Sequence, residues 1–151
     1  MNIEEVIQNR NPLTPASKTI VNIMFTSRRV EEGALVVFKE HDLTHQQYNV
    51  LRILRGQQGK PANLSTIQER MIDKSSNTTR LIDKLIKKEL VKRQVCEKNR
   101  RKIEVFITSK GMDLLKTLDP IIENLNKELV NNLSNKELET LNNLLDKLRK
   151  E

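Results

Sequence analysis

The chain has 151 residues, the size of one domain, and carries 27 Lys and Arg against 20 Asp and Glu, for a formal net charge of +7. It has no apolar run of about 18 residues, which argues against a membrane span, and no basic, apolar start typical of a secretory signal. The single cysteine, Cys96, fits a reducing cytoplasm. Without zinc-finger spacing, a Gly-rich phosphate loop or a nucleophile–base pair, the sequence predicts neither an enzyme nor a bound cofactor.

The N-terminal part of the chain predicts an arm followed by two helices. The polar first dozen residues favour a loose arm, and apolar positions from Ala16 to about Lys39 have helical spacing. Thr44 and Gln47 form a capping box that begins a second helix, which ends at Gly56.

A short helix and a longer one follow. Either Asn63 or Ser65 caps the segment NLSTIQERM, and KSSNTTRLIDKLIKKE then carries an inward stripe at helical spacing, formed by Leu81, Ile82, Leu85 and Ile86.

The pattern next changes to a period of two, which predicts a β-hairpin. Val91, Arg93 and Val95 alternate on the first strand, and Ile103, Val105 and Ile107 alternate on the second. Its turn, CEKNRRK, contains no glycine and is rich in cations.

Two amphipathic helices are expected at the C-terminal end. Thr108 caps the first, within which Pro120 predicts a bend or a new segment. Ser134 and Glu137 form a capping box that begins the second.

The positive charge is concentrated in one tract. Between Lys74 and Lys102 eleven Lys and Arg stand against Asp83, Glu89 and Glu97, and the rest of the chain is close to neutral. Such a patch is typical of proteins that bind a phosphate backbone, although a charge run can also be a solvated face.

Helices followed by a hairpin in this order predict a winged helix-turn-helix. The basic tract then covers its DNA recognition helix and its hairpin wing. Short polar side chains at a helix start can meet base edges or phosphates, or can cap the helix alone. The candidate DNA contacts on this recognition helix are Ser75, Ser76, Asn77, Thr78, Thr79, Arg80 and Lys84.

The hairpin supplies a second set of candidate contacts. Arg100 or Arg101 at its tip suits the negative potential of a narrow minor groove; the alternative is that these cations only protect a strand edge. The candidate wing contacts are Lys92, Lys98, Asn99, Arg100, Arg101 and Lys102.

The stretches THQQYNVLRIL, SSNTTRLIDKLIKKELVKR and NRRKIEVFITSKG resemble the MarR (multiple-antibiotic-resistance regulator) family of bacterial transcription factors. The resemblance implies a mainly α fold with a small β-hairpin wing, in a single domain over residues 1–151. It implies a winged-helix DNA-binding lobe at about 43–111, between long dimerisation helices at about 12–40 and 112–151.

Two residues depart from the family pattern. Glu89 stands where the family usually has a glycine, which predicts a differently shaped end for the recognition helix. Asn99 stands where the family has an aspartate, so it can hold a wing arginine only through a neutral hydrogen bond.

A homodimer is expected because one winged helix reads few base pairs. The leucine-rich seams of the terminal helices are its predicted surface, or else the core of a monomer. The candidate dimerisation residues are Leu115, Leu118, Ile122, Leu125, Leu129, Leu138, Leu141, Leu145 and Leu148.

The family resemblance also implies a small lipophilic or phenolic effector that binds between the dimerisation helices and the DNA-binding lobe. The residues that could line such a cleft are Met24, Phe25, Tyr48 and Arg52, for which core packing is the favoured alternative. Cys96 is interpreted as structural or incidental rather than redox-active, and a metal site at His41 and His45 is disfavoured.

These features together predict a cytoplasmic DNA-binding repressor that recognises a pseudo-palindromic site in double-stranded DNA, with no membrane partner. The alternative is a winged-helix module that binds RNA or a protein partner.

Overall fold

The computed structural model describes residues 1–150, so residue 151, the last of the predicted domain, lies outside the described residues. Seven helices and one antiparallel hairpin form within that range. They are α1 (Ile3–Val6), α2 (Pro15–Glu40), α3 (His45–Arg55), α4 (Leu64–Arg70), α5 (Thr78–Lys87), β1 (Val91–Cys96), β2 (Asn99–Ile107), α6 (Ser109–Leu129) and α7 (Asn135–Leu148). None of the helices in residues 1–150 is long and apolar enough to cross a membrane.

The N-terminal segment is not a loose arm, and that prediction is wrong. Asn2 and Glu5 form a capping box around α1, and the side chain of Ile3 is buried. The Glu4 carboxylate accepts the Leu13 amide at 2.7 Å and pairs with Lys18 at 2.8 Å. These bonds lower the pKa of Glu4, the Lys18 hydrogen bond most, and fold the segment back onto α2.

The helix caps predicted at Thr44, Thr108 and Ser134 are confirmed. The Gln47 amide donates to Thr44 Oγ1 at 3.1 Å, and the Thr44 amide donates to Gln47 Oε1 at 3.2 Å. Asn63, not Ser65, caps α4. Helix α6 runs through Pro120 without a break, so no new segment begins there.

One hydrophobic core joins α2, α3, α4, α5, α6 and the hairpin. Leu51, Ile67 and Leu85 are fully buried in it, and so are Leu115 and Leu118. The prediction that Leu115 and Leu118 are dimerisation residues is therefore wrong, because both side chains are buried in the core of the chain itself.

Residues 88–90 form the connection between α5 and β1, which we call the elbow. Its backbone has the left-handed conformation that a glycine usually supplies at the end of a helix. Glu89 adopts a φ of 62° itself. The Glu89 amide donates to the Ile86 carbonyl at 2.9 Å and the Leu90 amide to the Leu85 carbonyl at 3.0 Å, a left-handed helix cap. The expected change in the shape of the helix end is therefore wrong.

The predicted hairpin forms, and it is bonded to the rest of the lobe. Val91 pairs with Ile107, Arg93 with Val105 and Val95 with Ile103. Val105 also exchanges backbone hydrogen bonds of 3.0 and 2.8 Å with Ala62 in the loop before α4, so the base of the hairpin is fixed to the core.

Candidate nucleic-acid interface

The turn between α4 and α5 is fixed by polar side chains, two of them on α3. The Ile72 amide donates to Asn49 Oδ1 at 2.8 Å. The Asp73 carboxylate accepts from the Ser75 hydroxyl at 2.6 Å, the Ser75 amide at 2.9 Å and the Gln46 amide group at 3.4 Å. These bonds, led by the Ser75 hydroxyl, lower the pKa of Asp73.

The recognition helix begins later than the sequence suggested. Helix α5 starts at Thr78, so Ser75 and Ser76 lie in the preceding turn rather than on the helix. Asn77 is the cap: its Oδ1 accepts the Arg80 amide at 3.1 Å. The capping interpretation is therefore right for Asn77, and its side-chain oxygen is engaged by the helix itself.

Thr78 is not on the accessible face. Its side chain is buried, and its hydroxyl donates to Gln68 Oε1 on α4. Thr79 and Arg80 are exposed instead, and Lys84 follows Arg80 on the same face because residues four apart are neighbours on a helix. The free surface of α5 thus begins at Thr79.

Lys74 and Lys87 are exposed cations of the same tract that the sequence prediction did not include among the DNA contacts. Lys87 follows Lys84 at a spacing of three, so the helical periodicity beyond Lys84 was the signal that could have identified it.

The tip of the wing is a bulge rather than a simple turn. Cys96 pairs with Asn99 across Glu97 and Lys98, while the preceding residue, Val95, pairs with Ile103. Residues 100–102 therefore have no partner on β1. The prediction that the two arginines occupy the turn is corrected: Arg100, Arg101 and Lys102 protrude from the strand as a basic bulge, all exposed.

Asn99 stabilises this bulge through the backbone. Its Oδ1 accepts the Arg101 amide at 3.1 Å, so Asn99 orients the main chain at Arg101. Cys96 is half-buried beside the bulge.

The cations of the tract fall into two groups. Lys88 and Arg93 are ion-paired, Lys88 with Asp42 and Arg93 with Asp83. Among residues 1–150 the other nine have no acidic partner within 4.0 Å, and Lys92 instead lies 5.6 Å from the centre of the Phe106 ring. The unpaired cations are Lys74, Arg80, Lys84, Lys87, Lys92, Lys98, Arg100, Arg101 and Lys102.

A cavity of about 460 Å³ lies between α3 and α6. Arg55 Nη1 pairs with Asp119 Oδ2 at 2.7 Å, which raises the pKa of Arg55, and Arg52 lies 5.8 Å from the centre of the Tyr48 ring. The lining residues are Tyr48, Arg52, Arg55, Asp119, Pro120, Ile122, Glu123 and Asn126.

Of the four residues considered for an effector cleft, two line this cavity and two do not. Tyr48 is buried in the core and, with Arg52, lines the cavity. Met24 and Phe25 are 67% and 43% exposed on α2, so core packing is wrong for both, and neither lines the cavity.

The two histidines make different local contacts, and the buried Nε2 of His45 has no hydrogen-bond partner within residues 1–150. His41 Nδ1 lies 2.9 Å from the Val37 carbonyl oxygen, and the His45 ring packs edge-on against Phe38 with centres 4.9 Å apart. Residues 1–150 contain no cluster of three His, Cys, Asp or Glu side chains placed to hold a metal ion.

The helix-turn-helix and its bulged basic hairpin define a winged helix-turn-helix protein. Residues 43–103, which contain both elements, match the model of the MarR family. This match to the MarR family model confirms, for the winged-helix segment, the resemblance seen in its sequence.

Similarity to known transcription regulators extends over most of the chain. The HTH-type transcriptional regulator PapX of Escherichia coli is 26% identical over 151 residues, covering 97% of this chain and 92% of PapX. A MarR transcription factor from Planctomyces limnophilus is 29% identical with a TM-score of 0.70, covering 90% of this chain and 98% of that one. The MepR–DNA complex of Staphylococcus aureus shares the fold, with 22% identity, a TM-score of 0.77 and coverage of 91% and 97%.

Proposed function

We propose that this protein is a cytoplasmic transcriptional repressor that binds a pseudo-palindromic DNA operator as a homodimer and leaves it when a small lipophilic or phenolic ligand binds. The observation that carries the proposal is the group of nine unpaired cations on α5, the turn before it and the wing. Cations without acidic partners are free to replace the counterions of a phosphate backbone.

The lobe offers two different kinds of DNA contact. The exposed face of α5, with Thr79, Arg80 and Lys84, has the shape and polarity to lie in a major groove. The bulge at Arg100 and Arg101 is narrow and basic, which suits the minor groove beside it. The solved complex of MepR with DNA supports this use of the fold.

A homodimer is supported by apolar surface that the chain does not cover. No residue of α7 is buried, and Leu141, Leu144 and Leu148 are 43–58% exposed. On α2, Met24 and Val36 are more than 60% exposed. The proposed domain division follows from this: residues 43–111 form the DNA-binding lobe, and α2, α6 and α7 form the dimerisation region.

The ligand is assigned to the cavity between α3 and α6. The cavity lies at the boundary between the lobe and the proposed dimerisation region, and Tyr48 and Arg52 offer an aromatic face and a positive charge. A molecule bound there would change how α3 packs against α6. If titrating small phenolic acids into the protein–DNA complex released no DNA, this part of the proposal would fail.

Binding of the wild-type protein to a randomised pool of duplexes tests the central claim. We expect enrichment of a two-fold symmetric sequence, with an affinity that falls steeply as salt increases. Arg100→Ala and Arg101→Ala should each weaken binding to most duplexes and lower the slope of log affinity against log salt, by about 0.9 for each phosphate that the variant no longer neutralises.

Lys136→Ala is the matched control, because it removes one exposed charge from α7, outside the basic tract. It should leave the salt slope unchanged. A protein that enriches no duplex, or binds RNA equally well, would instead fit the alternative of an RNA or protein partner.

A further inference from the structure

Lys88 differs from the other cations of the basic tract because its charge is turned inward. It is the C-cap residue of α5, and its side chain is 27% exposed. The ammonium donates to Gln47 Oε1 at 3.0 Å and to the backbone carbonyl of Asp42, and it lies 3.6 Å from Asp42 Oδ2. The side chain thus spans from the end of α5 to the corner between α2 and α3.

The acceptors of this ammonium belong to two residues, Asp42 and Gln47, that lie at the corner between α2 and α3. Asp42 has a φ of 52° and closes α2: its amide donates to the Lys39 carbonyl at 3.1 Å, and the Leu43 amide donates to the Phe38 carbonyl at 2.9 Å. Gln47 is 3% exposed and holds the capping box of α3. Lys88 is therefore bonded to the turn that follows α2 and to the first turn of α3.

The same end of α5 is also bonded to α6. The Thr108 hydroxyl donates to the Glu89 carbonyl at 2.7 Å, and the Lys110 ammonium donates to the Lys88 carbonyl at 3.1 Å. Helices α2, α3 and α6 thus converge on one end of the recognition helix.

We propose that Lys88 is a positioning residue that makes α5 move with the C-terminal end of α2. This inference rests on the proposed function. Two hydrogen-bond acceptors and a carboxylate around the ammonium of this largely covered side chain resist rotation of α5, because a turn of the helix would separate the charged donor from all three oxygens and leave Gln47 Oε1 with the Thr44 amide alone. The orientation in which α5 is presented to DNA would then depend on how α2 is held in the dimer.

The experiment compares Lys88→Met with Lys87→Met, an exposed cation one residue earlier on the same helix. Both variants remove one positive charge. Binding is measured over a range of salt to the duplex enriched by the wild-type protein and to a scrambled duplex of the same length. Lys88→Met should bind the enriched duplex about tenfold more weakly, with an unchanged salt slope and little change on the scrambled duplex. Lys87→Met should lower the salt slope on both duplexes.

Lys88→Arg separates geometry from charge and covers the case in which Lys88→Met does not fold. A guanidinium is larger and spreads its donors in a plane, so it fits oxygens arranged around a single nitrogen less well, and binding to the enriched duplex should weaken although the charge remains. The proposal is overturned if Lys88→Arg binds like the wild type, or if Lys88→Met lowers the salt slope and weakens binding to both duplexes equally.

A wild-type protein that enriches no duplex would defeat the proposed function alone. The effect of the Lys88 hydrogen bonds on α5 is then tested in the free protein by amide hydrogen exchange. Exchange within α5 should be faster in Lys88→Met than in Lys87→Met, and equal rates would overturn the positioning role.

Discussion

Glu89 adopts a left-handed backbone conformation that an L side chain reaches only at a cost. The conformation is imposed by its neighbours, since the amides of Glu89 and Leu90 close α5 while Thr108 holds the Glu89 carbonyl. The ion pair between Glu89 and Lys110 spans 3.5 Å between largely exposed side chains and contributes little in return.

Glu89→Gly should therefore stabilise the protein. The left-handed conformation costs about 1–2 kcal/mol for a residue with a Cβ, and part of the gain is offset by the greater freedom of glycine in the unfolded chain. We expect the free energy of unfolding in urea to rise by about 0.5–1 kcal/mol. Glu89→Ala, which removes the carboxylate but keeps a Cβ, is the control. A glycine variant no more stable than the alanine variant would show that the backbone at residue 89 is unstrained.

At the scale of elements, the first turn of α6 packs directly on the elbow between α5 and β1. A Cβ at Gly111 would lie 2.4 Å from the Leu90 carbonyl oxygen and 2.7 Å from Ile107 Cγ1, distances that require the backbone to move. The capping bond from the Gly111 amide to Thr108 Oγ1, at 3.1 Å, holds the turn in this position. The absence of a side chain at residue 111 is thus what lets α6 approach the elbow and the end of β2.

Gly111→Ala should destabilise the protein by about 1–3 kcal/mol, as overpacking does in a filled interior. Gly33→Ala is a matched control within α2, where the new Cβ would meet Leu125 at an ordinary 3.6 Å. That variant should be neutral or more stable by up to about 1 kcal/mol, because alanine favours helix. Urea unfolding of both variants measures the difference, and an equal effect of the two substitutions would contradict the packing explanation.

On the scale of the whole molecule, the apolar face of the C-terminal helix α7 is exposed to solvent. The core occupies the lobe and its junction with α2 and α6, whereas α7 presents leucines to solvent. Exposed leucines repeated at helical spacing are unfavourable in water, which is why a second copy is the proposed occupant.

Leu141→Glu should convert the proposed dimer into a monomer, because it places a carboxylate in the apolar stripe of α7. Asn142→Glu adds the same charge one residue later, off that stripe, and should remain dimeric. Sedimentation at micromolar concentration distinguishes the two states. A monomeric wild-type protein would remove the basis for the dimer.

Much of the fold was predictable because it depends on short-range chemistry. Capping boxes at Thr44 and Ser134, the helical repeat of the leucines and the alternation across the hairpin each involve residues only a few positions apart or directly paired. The sequence by itself also located the basic tract, since charge is a property of composition and position.

Only the tertiary structure decided how those elements are used. It buried Leu115 and Leu118, turned Thr78 towards Gln68 and bonded Lys88 to Asp42 across 46 positions of the chain. It also placed the arginines in a bulge instead of a turn. A periodic pattern shows which face of a helix is apolar, but the surface that covers that face, and the acceptor that a lysine finds, are fixed by contacts between distant segments.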